Sequence, residues 1–196
     1  RHLVRQRVQF ILNFTFPEGI KHKIITRYPH LSEDDVKVVG NALRKYFYIC
    51  SLGGSRSVSM PSHVVDVAWH EFILYTRDYQ QFCEKGFGRF LHHVPAEAMP
   101  SETQARAGIR RTWRWSCKLE NINYLLPHKL PLLFAIDAQL NIPDGFYYAA
   151  NCKPGGNSDN GAMPYCGGDI GCSSHLGGVD ANDSFSDGMG GGCSSD

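Results

Sequence analysis

Apolar residues recur every three or four positions at Val36, Val39, Leu43, Tyr46, Phe47 and Cys50, the spacing that lines one stripe of an α-helix. Ser32 followed by Glu33, Asp34 and Asp35 is a start signal: an N-cap hydroxyl, acids in the first turn, and Asp35 at the reciprocal place of a capping box. Gly53 and Gly54 end the run. A second helix is predicted to open at Pro61 and Ser62, to show Val65, Ala68, Trp69, Phe72 and Thr76 on its apolar face, and to run unbroken to about Phe82 before Gly86 and Gly88 stop it. A third begins at Ser101 and Glu102, with Ile109, Trp113 and either Ser116 or Cys117 inward. The stretch "LPLLFAIDAQLNIP" predicts a shorter fourth, with Pro131 in its first turn and Pro143 closing it. Residues 18–28 form an earlier helical piece.

Strand-like alternation is confined to "GFYYAA" from Gly145, too short and isolated to build a sheet. The expected fold is therefore mainly α: a compact multi-helix domain over residues 1–150, of which 1–16 are a lead-in, followed by an irregular Gly/Cys-rich tail over residues 151–196. That tail is dominated by Gly, Ser, Asp, Asn and Cys. So few large apolar groups do not offset the entropy of ordering a backbone.

A chain of 196 residues at 42% hydrophobic content can build one sizeable core. Twenty basic against nineteen acidic residues leave a formal charge of +1, so no global field marks a nucleic-acid binder, and no nucleic-acid partner is expected. No apolar run is long enough to span a bilayer, and the chain as it stands reads as soluble. It opens at Arg1 without a methionine, and Arg1, Arg5 and Arg7 precede the apolar "ILNFTFP". Such a basic cluster either follows a membrane helix on its cytoplasmic side or is a solvated helical lead-in. The expected location is accordingly at a membrane facing the cytoplasm, or in the cytoplasm.

The candidate chemistry concentrates on the second helix. Asp66 and His70 are four apart and project from one face, and His63 lies seven before His70. A return through Gly86 and Gly88 would bring His92 and His93 back beside them. Asp66, His70, His92 and His93 are therefore the metal-ligand candidates: one carboxylate and two imidazoles with an open position suit zinc or a mononuclear iron. Glu71 is a candidate for proton transfer. The plainer reading is a structural polar cluster in which His70 bonds Asp66 across one helical turn. The His-Glu-x-x-His spacing of a zinc helix is absent, since no histidine follows His70 and Glu71 at the required place.

Two further sets of residues carry alternatives. Arg106, Arg110 and Arg114, spaced four apart and joined by Arg111, form either an anion-binding face or a solvated one; Trp113 and Trp115 bracket Arg114, so one of them points away from the core. Among the seven cysteines, Cys50, Cys83 and Cys117 sit inside helical patterns like small buried hydrophobes. Cys152, Cys166, Cys172 and Cys193 lie in the tail, where "CGGDIGC" and His175 could close around zinc, pair as disulfides or remain free thiols.

Taken together, "MPSHVVDVAWHEFILYTRDYQQFCEKGFGRFLHHVP", "LPLLFAIDAQLNIPDGFYY" and the Gly/Cys-rich end resemble a group of bacterial proteins of unassigned function. More distantly, the Asp66-Val67-Ala68-Trp69-His70 string is similar to the Asp-x-x-Trp-His helix motif of the plant glycine-rich-domain proteins, with Phe72 where a second histidine often stands. The bacterial resemblance implies a membrane anchor through an N-terminal helix. The expected function is a non-enzymatic interaction or assembly module that engages a protein partner or its own copies. The alternative is a metal-dependent hydrolase or oxygenase using Asp66, His70 and His92 or His93.

Overall fold

In a computed structural model of the chain, the run capped by Ser32 becomes the central helix. The structure describes residues 2–54, 56, 58–94, 102–150, 165–167 and 170. Among them are seven helices: α1 (His2–Leu12), α2 (Glu18–Arg27), α3 (Glu33–Gly53), α4 (His63–Leu74), α5 (Thr76–Phe87), α6 (Glu102–Leu119) and α7 (Leu132–Gln139). A two-residue parallel ladder joins β1 (Tyr148–Ala149) to β2 (Tyr165–Cys166). The mainly α expectation holds.

The capping box forms as its sequence implies: the Asp35 N–H donates to Ser32 Oγ at 3.2 Å, and the Ser32 N–H donates back to Asp35 Oδ2 at 2.8 Å. Every residue of the α3 stripe is buried, and α1, α2, α4, α6 and α7 pack around this helix. Phe47 sits at the centre, its ring 4.9 Å from Phe82 and 5.7 Å from Trp69. Phe14 and Phe16, from the link between α1 and α2, close the cluster, with Phe14 at 4.6 Å from Phe82. Trp113 of α6 is fully buried, while Trp115 is only partly covered, with Lys118 over its ring. Ser116 and Cys117 both face inward. Pro131 caps α7 rather than lying in its first turn.

The predicted second helix is in fact two. Tyr75 leaves helical geometry at φ −81° and ψ 62°, its N–H bonding Phe72 rather than the residue one full turn back. The cause is tertiary. The Tyr75 hydroxyl lies against Gly19 of α2 where any Cβ would collide with it, and the bend turns α5 so that Tyr79, Phe82 and Cys83 reach the core. Thr76, expected on the apolar face, is exposed after the bend. Gly88 then ends α5 in the left-handed conformation, at φ 69°, its N–H shared between the Cys83 and Glu84 carbonyls.

One buried carboxylate ties three segments together. Asp137 on α7 is 1% exposed and accepts from Ser62 Oγ at 2.7 Å, the His63 N–H at 2.7 Å, the Val64 N–H at 3.2 Å and the Phe146 N–H at 2.9 Å. It thereby satisfies the amino end of α4 from another helix. Glycine at 145 permits the approach, since a Cβ there would stand 2.7 Å from that of Asp137.

The described residues of the Gly/Cys-rich stretch, 165–167 and 170, touch the helical domain. Beyond the short ladder, a Cβ at Gly167 would run into the Trp113 ring, and Ile170 packs on the core. Cys152, Cys172 and Cys193 lie outside the described residues, as do the side chain of Cys166 and the metal or disulfide expected among these four. Among the described residues no helix is long and apolar enough to cross a membrane.

Asp137→Asn is expected to lower unfolding free energy by about 3 kcal/mol in urea titrations, because in either amide orientation an NH2 faces backbone N–H donors in a buried site. A loss under about 0.5 kcal/mol, the range of neutral surface changes, would contradict the role given to this carboxylate. Gly167→Val is expected to lower the Tm and shift Trp113 fluorescence toward that of a wetter indole.

Candidate metal centre on the fourth helix

Helix α4 starts where Asp137 holds it, and its first turn is capped again by Ser62 Oγ, which accepts from the Val65 N–H at 3.2 Å. Val64, Val65, Ala68, Trp69 and Phe72 face the core, which leaves Asp66 and His70 one turn apart on the outer edge. Asp66 Oδ2 lies 3.3 Å from His70 Nδ1. The chain returning from Gly88 places His93 on the other carboxylate oxygen, with Nε2 at 2.9 Å from Asp66 Oδ1. The two imidazoles come together with ring centroids 4.1 Å apart.

One donor atom from each of Asp66, His70 and His93 lies within 4.8 Å of the other two. A tetrahedral ion holds its donors roughly 3.4 Å apart; the Asp66 oxygens already stand at 2.9 and 3.3 Å from the two imidazoles, and a pair at the 4.8 Å limit would close by at most about 1.4 Å on binding. His70 can supply that movement, since its side chain is 52% exposed, whereas that of His93 is 12% exposed and held. The Trp69 ring meets His93 edge-on at 4.5 Å, and the Trp69 indole N–H donates to Tyr79 Oη at 3.0 Å. Oxygen and imidazole nitrogen donors in this number are the set that zinc or ferrous iron takes.

The other residues singled out in the sequence lie elsewhere. His92 turns away from Asp66, its ring 4.9 Å from that of Phe90. His63 joins a different cluster, with Nε2 at 2.8 Å from Asp144 Oδ2 and Arg27 3.6 Å from the same oxygen. Partial burial opposes ionisation of Asp144, but its own backbone N–H, His63 and Arg27 outweigh it and hold this carboxyl below the usual range. On α6, Arg106 is exposed and Arg110 half-buried, while Arg114 lays its guanidinium over Tyr124 at 5.6 Å. Neither Asp137 nor the Tyr79 contact is signalled by periodicity. The one sign of Asp137 is a lone charge inside the apolar run "LLFAIDAQL".

Cys50, Cys83 and Cys117 are buried free thiols, and burial pushes Cys50 and Cys117 up to about 12, with the nearby Glu120 adding to the effect at Cys117. Such thiols are neither nucleophiles nor thiolate ligands at neutral pH. Burial likewise raises Cys83, Tyr46 and Tyr79.

The fold and the site define an all-α domain that carries a solvent-facing Asp/His/His group. The family description UCP032817-like matches residues 6–170, and the chain belongs to that family. No curated protein matches the chain, and neither does any solved structure.

The buried thiols contribute to the alkaline behaviour, in the same direction as the buried tyrosines. An unfolded chain gives up its thiol protons near pH 8.5, whereas folded Cys50 and Cys117 keep theirs to about 12. Rising pH therefore favours the unfolded state across that window, and stability is full below it. Urea unfolding at stepped pH should show a steady loss from about pH 9 upward, together with slow alkylation of both thiols in the folded protein at neutral pH.

Proposed function

We propose that this protein is a helical interaction module in which Asp66, His70 and His93 hold one zinc or ferrous ion. The ion fastens the return segment to α4 and so shapes the surface offered to a partner protein or to further copies of the chain. The observation that carries the reading is the convergence of the three donors on one face. Exposed apolar side chains lie beside them in the sequence: Leu74 one turn beyond His70, with Phe90 and Val94 flanking the histidine pair. Apolar groups of this size around a polar centre suit an interface. Support for a likeness to the plant glycine-rich-domain proteins rests on the Asp66 to His70 string, and a membrane tether would place the module on the cytoplasmic face.

A second reading, a metal-dependent hydrolase or oxygenase, is favoured by the count of ligands. Structural zinc sites close with four protein donors, whereas three donors leave a position open to water or substrate. The ion would then supply a bound water of lowered pKa or a Lewis acid, with Glu71 beside His70 to move a proton.

Elemental analysis of protein purified without added metal, and again after dialysis against zinc or ferrous salts, tests the shared premise. About one ion per chain is expected, lost in His70→Ala and His93→Ala with helicity retained. Saturation at a hundredfold over Kd should add about 2.7 kcal/mol to stability, reversed by a chelator. No bound metal under any of these conditions would sink both readings. Turnover of an activated ester, or metal-dependent oxygen uptake, lost in His70→Ala would favour the enzyme over the module.

A further inference from the structure

We infer that Tyr79 is the positioning residue of the centre, setting the place of the His93 ring through the Leu91 carbonyl. The return segment after Gly88 is fastened by side chains. Arg89 donates to the Gly54 carbonyl, Tyr79 Oη donates to the Leu91 carbonyl at 2.6 Å, and His93 meets Asp66. Among the described residues, no backbone-to-backbone hydrogen bond outside helices and strands involves residues 89–94. Leu91 also packs on the core, and its backbone bonds the Cys83 thiol; among the side-chain hydrogen bonds to the segment's backbone, the one from Tyr79 to Leu91, two residues from His93, is the nearest to that ring.

The attachments form a closed circuit. Asp66 and Trp69 stand on α4, three residues apart. Trp69 hands its indole N–H to Tyr79 Oη on α5, Tyr79 hands its hydroxyl proton to Leu91, and His93 comes back to Asp66 while its ring rests on Trp69. Tyr79 is 1% exposed, and its ring is packed independently of the hydroxyl, at 5.2 Å from Phe72 and 5.4 Å from Phe90. The hydroxyl receives the Trp69 donor and reaches the Leu91 carbonyl, with the Cys83 thiol as a further partner beside it. Hydrogen bonds made directly to a metal ligand typically change affinity by about 10- to 100-fold when removed, and Tyr79 acts one step further back, on the Leu91 carbonyl. The affinity part of this inference rests on the reading of the three residues as a metal centre; the placement of the ring does not.

Tyr79→Phe keeps the packed ring and deletes only the hydroxyl, so two readouts separate positioning from general loosening. In metal-free protein, under conditions where the 15N shifts themselves report a neutral ring, His93 should show one tautomer with the proton on Nε2 facing Asp66. In Tyr79→Phe it should average over both. Cobalt(II), followed by its ligand-field absorption, should bind the variant more weakly, by up to about 10-fold, the lower end of the effect of losing a direct ligand partner. The control is Tyr28→Phe, which removes another buried tyrosine hydroxyl at Asp144 and should leave His93 and cobalt affinity as in wild type. The inference is overturned if wild-type His93 already averages its tautomers, if Tyr79→Phe leaves its signals unchanged, or if Tyr28→Phe disturbs them equally. Should wild type bind no cobalt, the metal reading fails, and the His93 signals alone decide the role of Tyr79.

Discussion

The structure turns on a carboxylate that the solvent barely sees. Asp137 lies on the most apolar helix of the domain and spends both oxygens on α4 and on the segment that follows α7. A buried charge is costly unless its hydrogen bonds are complete, and here four donors meet it, three of them backbone N–H groups with no intrahelical partner or no helix to supply one. The same contact that neutralises the cost also fixes where α4 begins and how it is rotated. Since α4 carries Asp66 and His70 on one edge and Trp69 on the other, the aim of the candidate centre descends from that anchor.

The second determinant is the bend at Tyr75. A straight helix through residues 63–82 would have carried its apolar stripe on at one angle. Instead the hydroxyl of Tyr75 occupies the space left by Gly19, and α5 leaves at a new direction that buries Tyr79, Phe82 and Cys83. With Gly88 in the left-handed region the chain then doubles back along α4. Both devices are glycines that make room, one for a side chain and one for a backbone turn. Their joint result is that residues 27 positions apart, Asp66 and His93, meet at hydrogen-bonding distance.

The chemistry that results is graded in exposure. His93 is enclosed by Trp69 and held by Asp66, whereas His70 stands half in water. One imidazole is therefore placed by the fold, and the other has room to swing toward a bound ion. A polar trio of this kind also stabilises the return without any ion, through the Asp66 to His93 contact. The Cys50 and Cys117 thiols in the core beneath it are protonated at neutral pH because burial raises them.

Local signals were sufficient for much of this molecule. Periodicity marked the α3 stripe residue by residue, Ser32 and Asp35 announced their reciprocal cap, Gly88 announced the end of α5 while Gly86, read as a second breaker, lies buried inside that helix, and the pair Asp66 and His70 followed from the helical repeat alone. The signals that held depend on neighbours within one or two turns. The choice of His93 over His92, the diversion of His63 to Asp144, the break at Tyr75, the seating of Gly167 on Trp113 and the anchor at Asp137 were beyond such reasoning. Each is settled by a partner far along the chain. Whether a side chain at the end of a loop faces a carboxylate or solvent depends on how whole helices pack, and the repeat of a single helix carries no information about that.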